Sequence, residues 1–192
     1  AAMEAHLPAS AGLLPGGAGF DAIGYGCTSG TAQIGAARVA ELVASGAHTR
    51  AVTDPLSALA AACEALGITR LGFLSPYVET VSARLRGALA ERGVATPVFG
   101  SFDEENEARV ARITPQSLAA AARQLAQAGG IEGLFLSCTN LNTLDIIAPL
   151  SDALNMPVLS SNQVLAWHMG QLSGLGLRDH PALHGLPGGR QG

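Results

Sequence analysis

Short apolar runs alternate with helix-length segments along this chain, and most runs end in a turn of small residues. Residues 21–25, 49–53, 70–74, 94–99, 133–137 and 157–159 read as strands. Segments 3–14, 31–45, 56–66, 78–91, 115–128, 141–154 and 163–172 read as helices. Such alternation requires parallel sheets covered by helices, an α/β fold. It also fixes where a ligand would sit, at the carboxyl ends of the strands.

Two of these strand ends look alike. The run Ala22-Ile23-Gly24-Tyr25 stops at Gly26-Cys27-Thr28-Ser29-Gly30 and feeds a helical pattern opening at Thr31. The run Gly133-Leu134-Phe135-Leu136-Ser137 stops at Cys138-Thr139-Asn140, and a helical pattern follows from Leu141. Each corner presents a cysteine followed by threonine and by free backbone N–H groups, an environment suited to a thiolate or to an anionic ligand. The bland alternative is a pair of inert core cysteines. A matched pair at the ligand edge favours the functional reading. The third cysteine, Cys63, lies among alanines and reads as core packing.

The order around the corners repeats as well. After Cys27 come a helix, a short strand and Thr53-Asp54-Pro55; after Cys138 come a helix, a short strand and Ser160-Ser161-Asn162. Two similar halves are expected, with the cleft between them and one cysteine from each. Residues 53–161 form one half, and residues 1–52 plus 162–192 the other. Ser160, Ser161 and Asn162 are candidates for lining the cleft.

Composition removes several classes of function. All 11 basic residues are arginine, which excludes a Schiff-base lysine and a P-loop lysine. A net charge of −4 without a basic cluster argues against nucleic acid. Three widely spaced cysteines make neither a disulfide framework nor a zinc site. His180 and His184, four apart around Pro181, are too few for a metal centre, so no metal is expected. No apolar run reaches the ~18–20 residues of a membrane span. The start of the chain has no signal-peptide pattern, and a reducing, cytoplasmic setting is the default expectation. The chain does not begin with Met, and part of the natural N-terminus is expected to lie outside it. The run Asp103-Glu104-Glu105 with Glu107 reads as a solvated helix start. Trp167 reads as core and His168 as a surface or cap residue. From Gly174 onward a loose tail is expected.

Cys27-Thr28-Ser29-Gly30 together with Ser137-Cys138-Thr139-Asn140-Leu141 resembles the aspartate/glutamate racemase superfamily. The resemblance is to its branch of arylmalonate decarboxylase, maleate cis-trans isomerase and the ectoine-utilisation racemase-like protein. The stretches YGCTSGTAQIG, GFLSPYVETV, FLSCTNLNTLDII and PVLSSNQVLAWHM are most similar to the ectoine-utilisation group. The resemblance implies two pseudo-symmetric three-layer α/β/α halves, no cofactor, and a small carboxylic acid held between paired cysteines, Cys27 and Cys138. It implies donors to the carboxylate at Thr28, Ser29, Tyr77, Thr139 and Asn140. Arylmalonate decarboxylase has glycine in place of Cys27, which favours two-cysteine chemistry over decarboxylation here. The family's first strand, whose polar end also grips carboxylate, is not visible in this chain. Members often self-associate, so a homo-oligomer is compatible with the resemblance, although no sequence stripe demonstrates one.

Two uses of such a pair remain open. One cysteine can remove a proton beside a carboxylate while the other returns one on the opposite face, which is racemisation or epimerisation. Alternatively, Cys27 can add to an alkene, allowing rotation and collapse, which is cis-trans isomerisation. A malonate decarboxylase and a non-catalytic protein that binds a small acid are the competing readings.

Overall fold

In a computed structural model of the chain, residues 2–17, 19–175 and 183–188 are described. The elements in order are α1 (Ala2–Ala11), β1 (Ile23–Gly24), α2 (Thr28–Ile34), α3 (Ala36–Gly46), β2 (Val52–Thr53), α4 (Pro55–Leu66), β3 (Arg70–Tyr77), α5 (Glu79–Ala90), β4 (Ala95–Glu104), α6 (Glu107–Val110), α7 (Pro115–Ala126), β5 (Gly133–Leu136), α8 (Leu144–Leu154), β6 (Val158–Ser160) and α9 (Ser161–Leu172). The α/β architecture with parallel sheets is as the alternation requires.

The larger sheet has the order β4-β3-β5-β6, all pairs parallel. Side chains alternate across it. Leu71, Phe73, Phe135 and Leu159 face one layer, built from α4, α5 and α9, whose Leu59, Leu85, Val164 and Trp167 join them in one core cluster. Leu74, Leu134, Leu136 and Val158 face the opposite layer, where Leu118 of α7 and Leu150 of α8 complete a second cluster. Phe73 and Phe135, both fully buried, meet with ring centroids 5.6 Å apart, so the central strands are locked from one side by aromatic packing. Cys63 is fully buried in this core, as read from its alanine neighbours.

The chain leaves β3 towards β4, then crosses back to β5 and continues to β6. The direction of winding therefore reverses between β3 and β5. In a doubly wound sheet the loops diverge at that point and leave a crevice at the carboxyl ends of the two strands. Tyr77 ends β3 and Cys138 follows β5, so both stand at the reversal.

The smaller sheet pairs β1 with β2, in parallel, through Ile23↔Val52 and Gly24↔Thr53. Val39 and Val43 of α3 and Leu7 of α1 pack with Ile23, Tyr25 and Val52 in a satellite cluster. On the other side α9 presses on β1: a side chain at Gly24 would meet Met169 Sδ at 2.5 Å. The layering is again helix, sheet, helix.

Several boundaries depart from expectation. Segment 31–45 is two helices, because Gly35 takes φ +92° and ends α2 before α3 begins. Gly46 is the last residue of α3, one residue beyond the expected end, and Ala47 is its C-cap. The acidic run does not start a helix; Asp103 and Glu104 extend β4, and only Glu107 opens α6. After Cys138 the helix starts at Leu144 rather than Leu141, so this corner is a loop and not a helix N-terminus. Asp54 caps α4, accepting N–H bonds from Leu56 at 2.9 Å and Ser57 at 3.0 Å, with Pro55 at the first helical position. His168 is not a surface residue: it is half-buried, with Nδ1 at 2.7 Å from Thr53 Oγ1, and burial lowers its pKa. The expected loose tail is docked where it is described: Leu183 is buried, and Trp167 Nε1–H donates to the Pro187 carbonyl at 2.8 Å. The rest of that tail, His180 included, lies outside the described residues.

Candidate active site

Cys27 ends the loop after β1 in extended backbone and caps α2. Its Sγ accepts the Gly30 N–H at 3.3 Å, and Ser29 Oγ stands 3.7 Å away. Cys138 is buried at the carboxyl end of β5, and its Sγ accepts the Asn140 N–H at 3.3 Å. The two corners thus present sulfur in the same way, each receiving a backbone donor from a residue just ahead.

A tyrosine stands beside each sulfur. Tyr77 Oη lies 2.9 Å from Cys138 Sγ. The Tyr25 phenol lies against Cys27, and burial, followed by the charge and hydrogen bonding of Cys27, pushes its pKa to about 12. Tyr77 is pushed higher still, by burial first and then by Cys138. Both phenols therefore keep their protons and can act only as neutral hydrogen-bonding groups. Burial also raises the Cys138 thiol, with charge on Glu107 and Cys27 acting in the same direction. The Tyr77 hydroxyl and the Asn140 N–H oppose that rise without cancelling it.

The two corners are tied to each other. Thr139 Oγ1 donates to the Gly26 carbonyl at 2.8 Å, joining the residue after Cys138 to the residue before Cys27. Thr28 Oγ1 donates to Ser161 Oγ at 3.0 Å, and the same oxygen accepts the Cys138 N–H at 3.0 Å. Asn162 Nδ2 donates to the Thr139 carbonyl at 2.9 Å. Sequence-distant elements therefore hold Cys27 and Cys138 in one assembly, and charge on Cys27 bears on Cys138.

All seven expected site residues, Cys27, Thr28, Ser29, Tyr77, Cys138, Thr139 and Asn140, fall within this assembly, but not all are disposed as expected. The hydroxyls of Thr28 and Thr139 are committed to the bridges between corners. Thr28 is also buried. Ser29 faces the sulfur side and interacts with Tyr77. Tyr25, Glu107 and the bridging role of Ser161 are additions from the structure. Glu107 Oε1 accepts Asn140 Nδ2–H at 2.7 Å and a long bond from Tyr77 Oη at 3.4 Å. A run of four acids, each more often solvated than not, carries no sequence signal that singles out Glu107. Tyr25 carries one: it lies two residues before a cysteine, at the end of an apolar run that reads as a strand. Among the described residues no group of three or more His, Cys, Asp or Glu could hold a metal ion.

A family profile described as arylmalonate decarboxylase matches residues 36–183. The chain belongs to the arylmalonate decarboxylase family. The match includes Tyr77 and Cys138 and begins beyond Cys27. The arylmalonate decarboxylase of Bordetella bronchiseptica is 30% identical over 118 residues, 61% of this chain and 49% of that protein, so the aligned part spans about half of the relative. A liganded double mutant of arylmalonate decarboxylase superposes with TM-score 0.83 at 24% identity, over 95% of this chain and 78% of that one. A maleate cis-trans isomerase of Nocardia farcinica, with a covalently bound succinylcysteine intermediate, superposes with TM-score 0.73 at 20% identity, over 81% and 66%. These structural likenesses establish the α/β fold of the family. No helix among the described residues is long and apolar enough to cross a membrane.

Gly30 is packed against the first cysteine corner. A Cβ there would run into Tyr25 Oη and stand 3.0 Å from Cys27 Sγ. Gly30→Ala is expected to push the phenol off the sulfur while the helix accepts the alanine. Turnover should fall by about tenfold, with a melting temperature within a few degrees of the parent. Parallel measurement of kcat and of the Cys27 alkylation rate checks this; an unchanged alkylation rate would count against the contact.

Proposed function

We propose that the protein is a cofactor-independent isomerase or racemase acting at the carbon beside a carboxylate, with Cys27 and Cys138 as its proton-transfer or nucleophilic pair. The observation that carries this reading is the tethering of two sulfurs, each with its own phenol and backbone donor, from opposite corners of the fold. In this reading residues 53–161 form one half, and residues 1–52 plus 162–192 form the other. Helix α9 belongs to the second group yet also packs in the core of the first, which would hold the halves in register.

The chemistry follows from the residues. Cys27, as thiolate, takes the proton from the carbon next to the carboxylate, and negative charge spreads onto the carboxylate oxygens. In this reading Ser29 would meet that charge, joined by the Tyr77 hydroxyl and the Asn140 N–H, which rest on Cys138 Sγ and would turn from it, an electrostatic contribution of several kcal/mol in such sites. Cys138, whose thiol pKa burial raises, delivers its proton to the opposite face. Cys27 is then the thiol and Cys138 the thiolate, so the enzyme is poised for the reverse step. With a cis-alkene diacid the same thiolate would instead add to carbon, as the cysteine adduct of the maleate isomerase illustrates for that enzyme. An ectoine-type substrate is the finer expectation carried by the sequence motifs. The second reading is decarboxylation of a disubstituted malonate, favoured by the 30% identity to an arylmalonate decarboxylase.

NMR in deuterium oxide separates these outcomes. A chiral carboxylic acid recovered with deuterium on its α-carbon and with scrambled configuration supports racemisation; conversion of maleate to fumarate supports isomerisation. Carbon dioxide released from an aryl malonate, with neither of the others, overturns the proposal in favour of decarboxylation. Binding of an acid with none of the three reactions would make the protein a non-catalytic receptor.

A further inference from the structure

We propose that a cavity behind the Cys138 corner is a second binding site, for a neutral, ring-sized alcohol rather than for the carboxylic acid, and that its occupancy slows the opening that exposes Cys138. The cavity lies between α8, α9 and the docked segment at Leu183, and its volume is about 300 Å³. Leu141, Leu144, Ile147, Ala166 and Leu183 form its apolar walls, and among the described residues no charged side chain lines it. A dry apolar cavity of about 150 Å³ takes a benzene ring, so this one has room for a ring with a short substituent. Neither cysteine corner sulfur nor Ser29 or Tyr77 is part of the wall, which separates it from the place proposed for the carboxylate. One polar group in the wall is uncommitted. Thr143 is only 4% exposed and stands at the N-cap position of α8 without making a cap bond. Among the described residues its hydroxyl has no hydrogen-bond partner. Ser137 Oγ is, among those residues, the one unpartnered side-chain polar atom sealed from solvent. Thr143 Oγ1 is therefore not sealed, and the space that Thr143 lines is this cavity.

The other polar wall residues are already engaged or stand in water. Gln163 Nε2 donates to the His184 carbonyl at 2.9 Å, Ser160 Oγ accepts the Gln163 N–H at 3.3 Å, and Asn142 is exposed at the mouth. An apolar body with one hydroxyl, aimed at Thr143, is the occupant that leaves no polar group unmatched; a charge there would be taken from water without a partner. Two walls also touch the Cys138 corner. The Leu141 N–H donates to the Cys138 carbonyl at 3.4 Å, and Asn162 Nδ2 donates to the Thr139 carbonyl at 2.9 Å. Leu141 and Cys138 share one core cluster. Filling the cavity therefore braces the loop that holds a buried sulfur, and a reagent reaches that sulfur only when the loop opens.

Two-dimensional NMR of the isotopically labelled protein, titrated with benzyl alcohol, toluene and benzylammonium, tests this. Benzyl alcohol should bind with a dissociation constant on the order of a millimolar and shift the amides of residues 141–144 and 162–166. Benzylammonium should bind at least about tenfold more weakly. Thr143→Val should weaken benzyl alcohol about fivefold and toluene not at all, with a melting temperature no lower than the parent's, because the lost hydroxyl had no partner. Ala166→Phe, which fills the cavity from the exposed face of α9, should weaken both by at least about tenfold. Saturating benzyl alcohol should slow iodoacetamide labelling of Cys138 by at least about threefold and leave Cys27 unaffected, and Ala166→Phe should abolish the effect of the alcohol. Shifts confined to other amides, benzylammonium binding as tightly as the alcohol, or benzyl alcohol unaffected by Thr143→Val overturns the site. A Cys138 labelling rate that the alcohol does not change overturns the coupling. The charge ranking and the labelling rates of the parent decide the matter even if a variant does not fold. All of these readouts are made without turnover, so failure of the proposed reaction and failure of this site are told apart.

Discussion

Cys138→Ser is expected to lower turnover by at least about 10^3-fold while leaving the fold in place, because a serine hydroxyl neither gives up nor takes a proton in the range where a thiol does. The replacement is close to isosteric in a buried position, and it keeps an acceptor for the Asn140 N–H. Cys27→Ser should lose as much. The double variant should be little worse than either single one, since groups that act as a unit are not additive. Single-turnover kinetics with circular dichroism of each variant checks this. Residual activity within tenfold of the parent in either would remove that cysteine from the chemistry.

Tyr77→Phe is the second large effect, about 10^2-fold in kcat, the usual consequence of removing one preorganised donor from a site of this kind. The ring packs beside the core cluster around Leu74 and Leu136, and phenylalanine keeps that contact, so stability should change little. The direction of the accompanying pH effect follows from the hydrogen bond. The Tyr77 hydroxyl favours the Cys138 thiolate and so partly offsets the upward push of burial. Without it the thiol holds its proton more tightly, and the pH at which Cys138 becomes alkylated by iodoacetamide should move up. A midpoint that falls, or does not move, would show that the phenol does not donate to this sulfur.

How much of this is legible in the sequence depends on whether the signal is local. The strand Gly133–Leu136 and its cysteine corner are legible, because four consecutive buried apolar residues bounded by small ones fit little else. Helix α7 is legible from Thr114 and Pro115, and Thr114 does cap it by accepting the Ser117 N–H at 3.1 Å. The break at Gly35 is not, because a glycine within an apolar period is compatible with an unbroken helix until its φ is known. The strand at Asp103 and Glu104 is hidden for a similar reason: β4 is an edge strand, half-exposed along much of its length, so acidic side chains are tolerated where propensity reads a loop or helix start. The bridges through Ser161 and Gly26 are invisible in one dimension, since they join residues that only the completed fold brings together. Glu107 is the clearest case. Its neighbours in sequence are also acidic, and only contact with Asn140 and Tyr77 distinguishes it.

The backbone at Cys138 turns with φ +130°, a conformation that costs a residue bearing a Cβ about 1–3 kcal/mol and glycine almost nothing. Mutational drift towards glycine at this corner would therefore relieve the backbone, at the expense of the buried contacts of the sulfur. Selection for what the sulfur does opposes it, and a lineage released from that demand should lose its thiol here early.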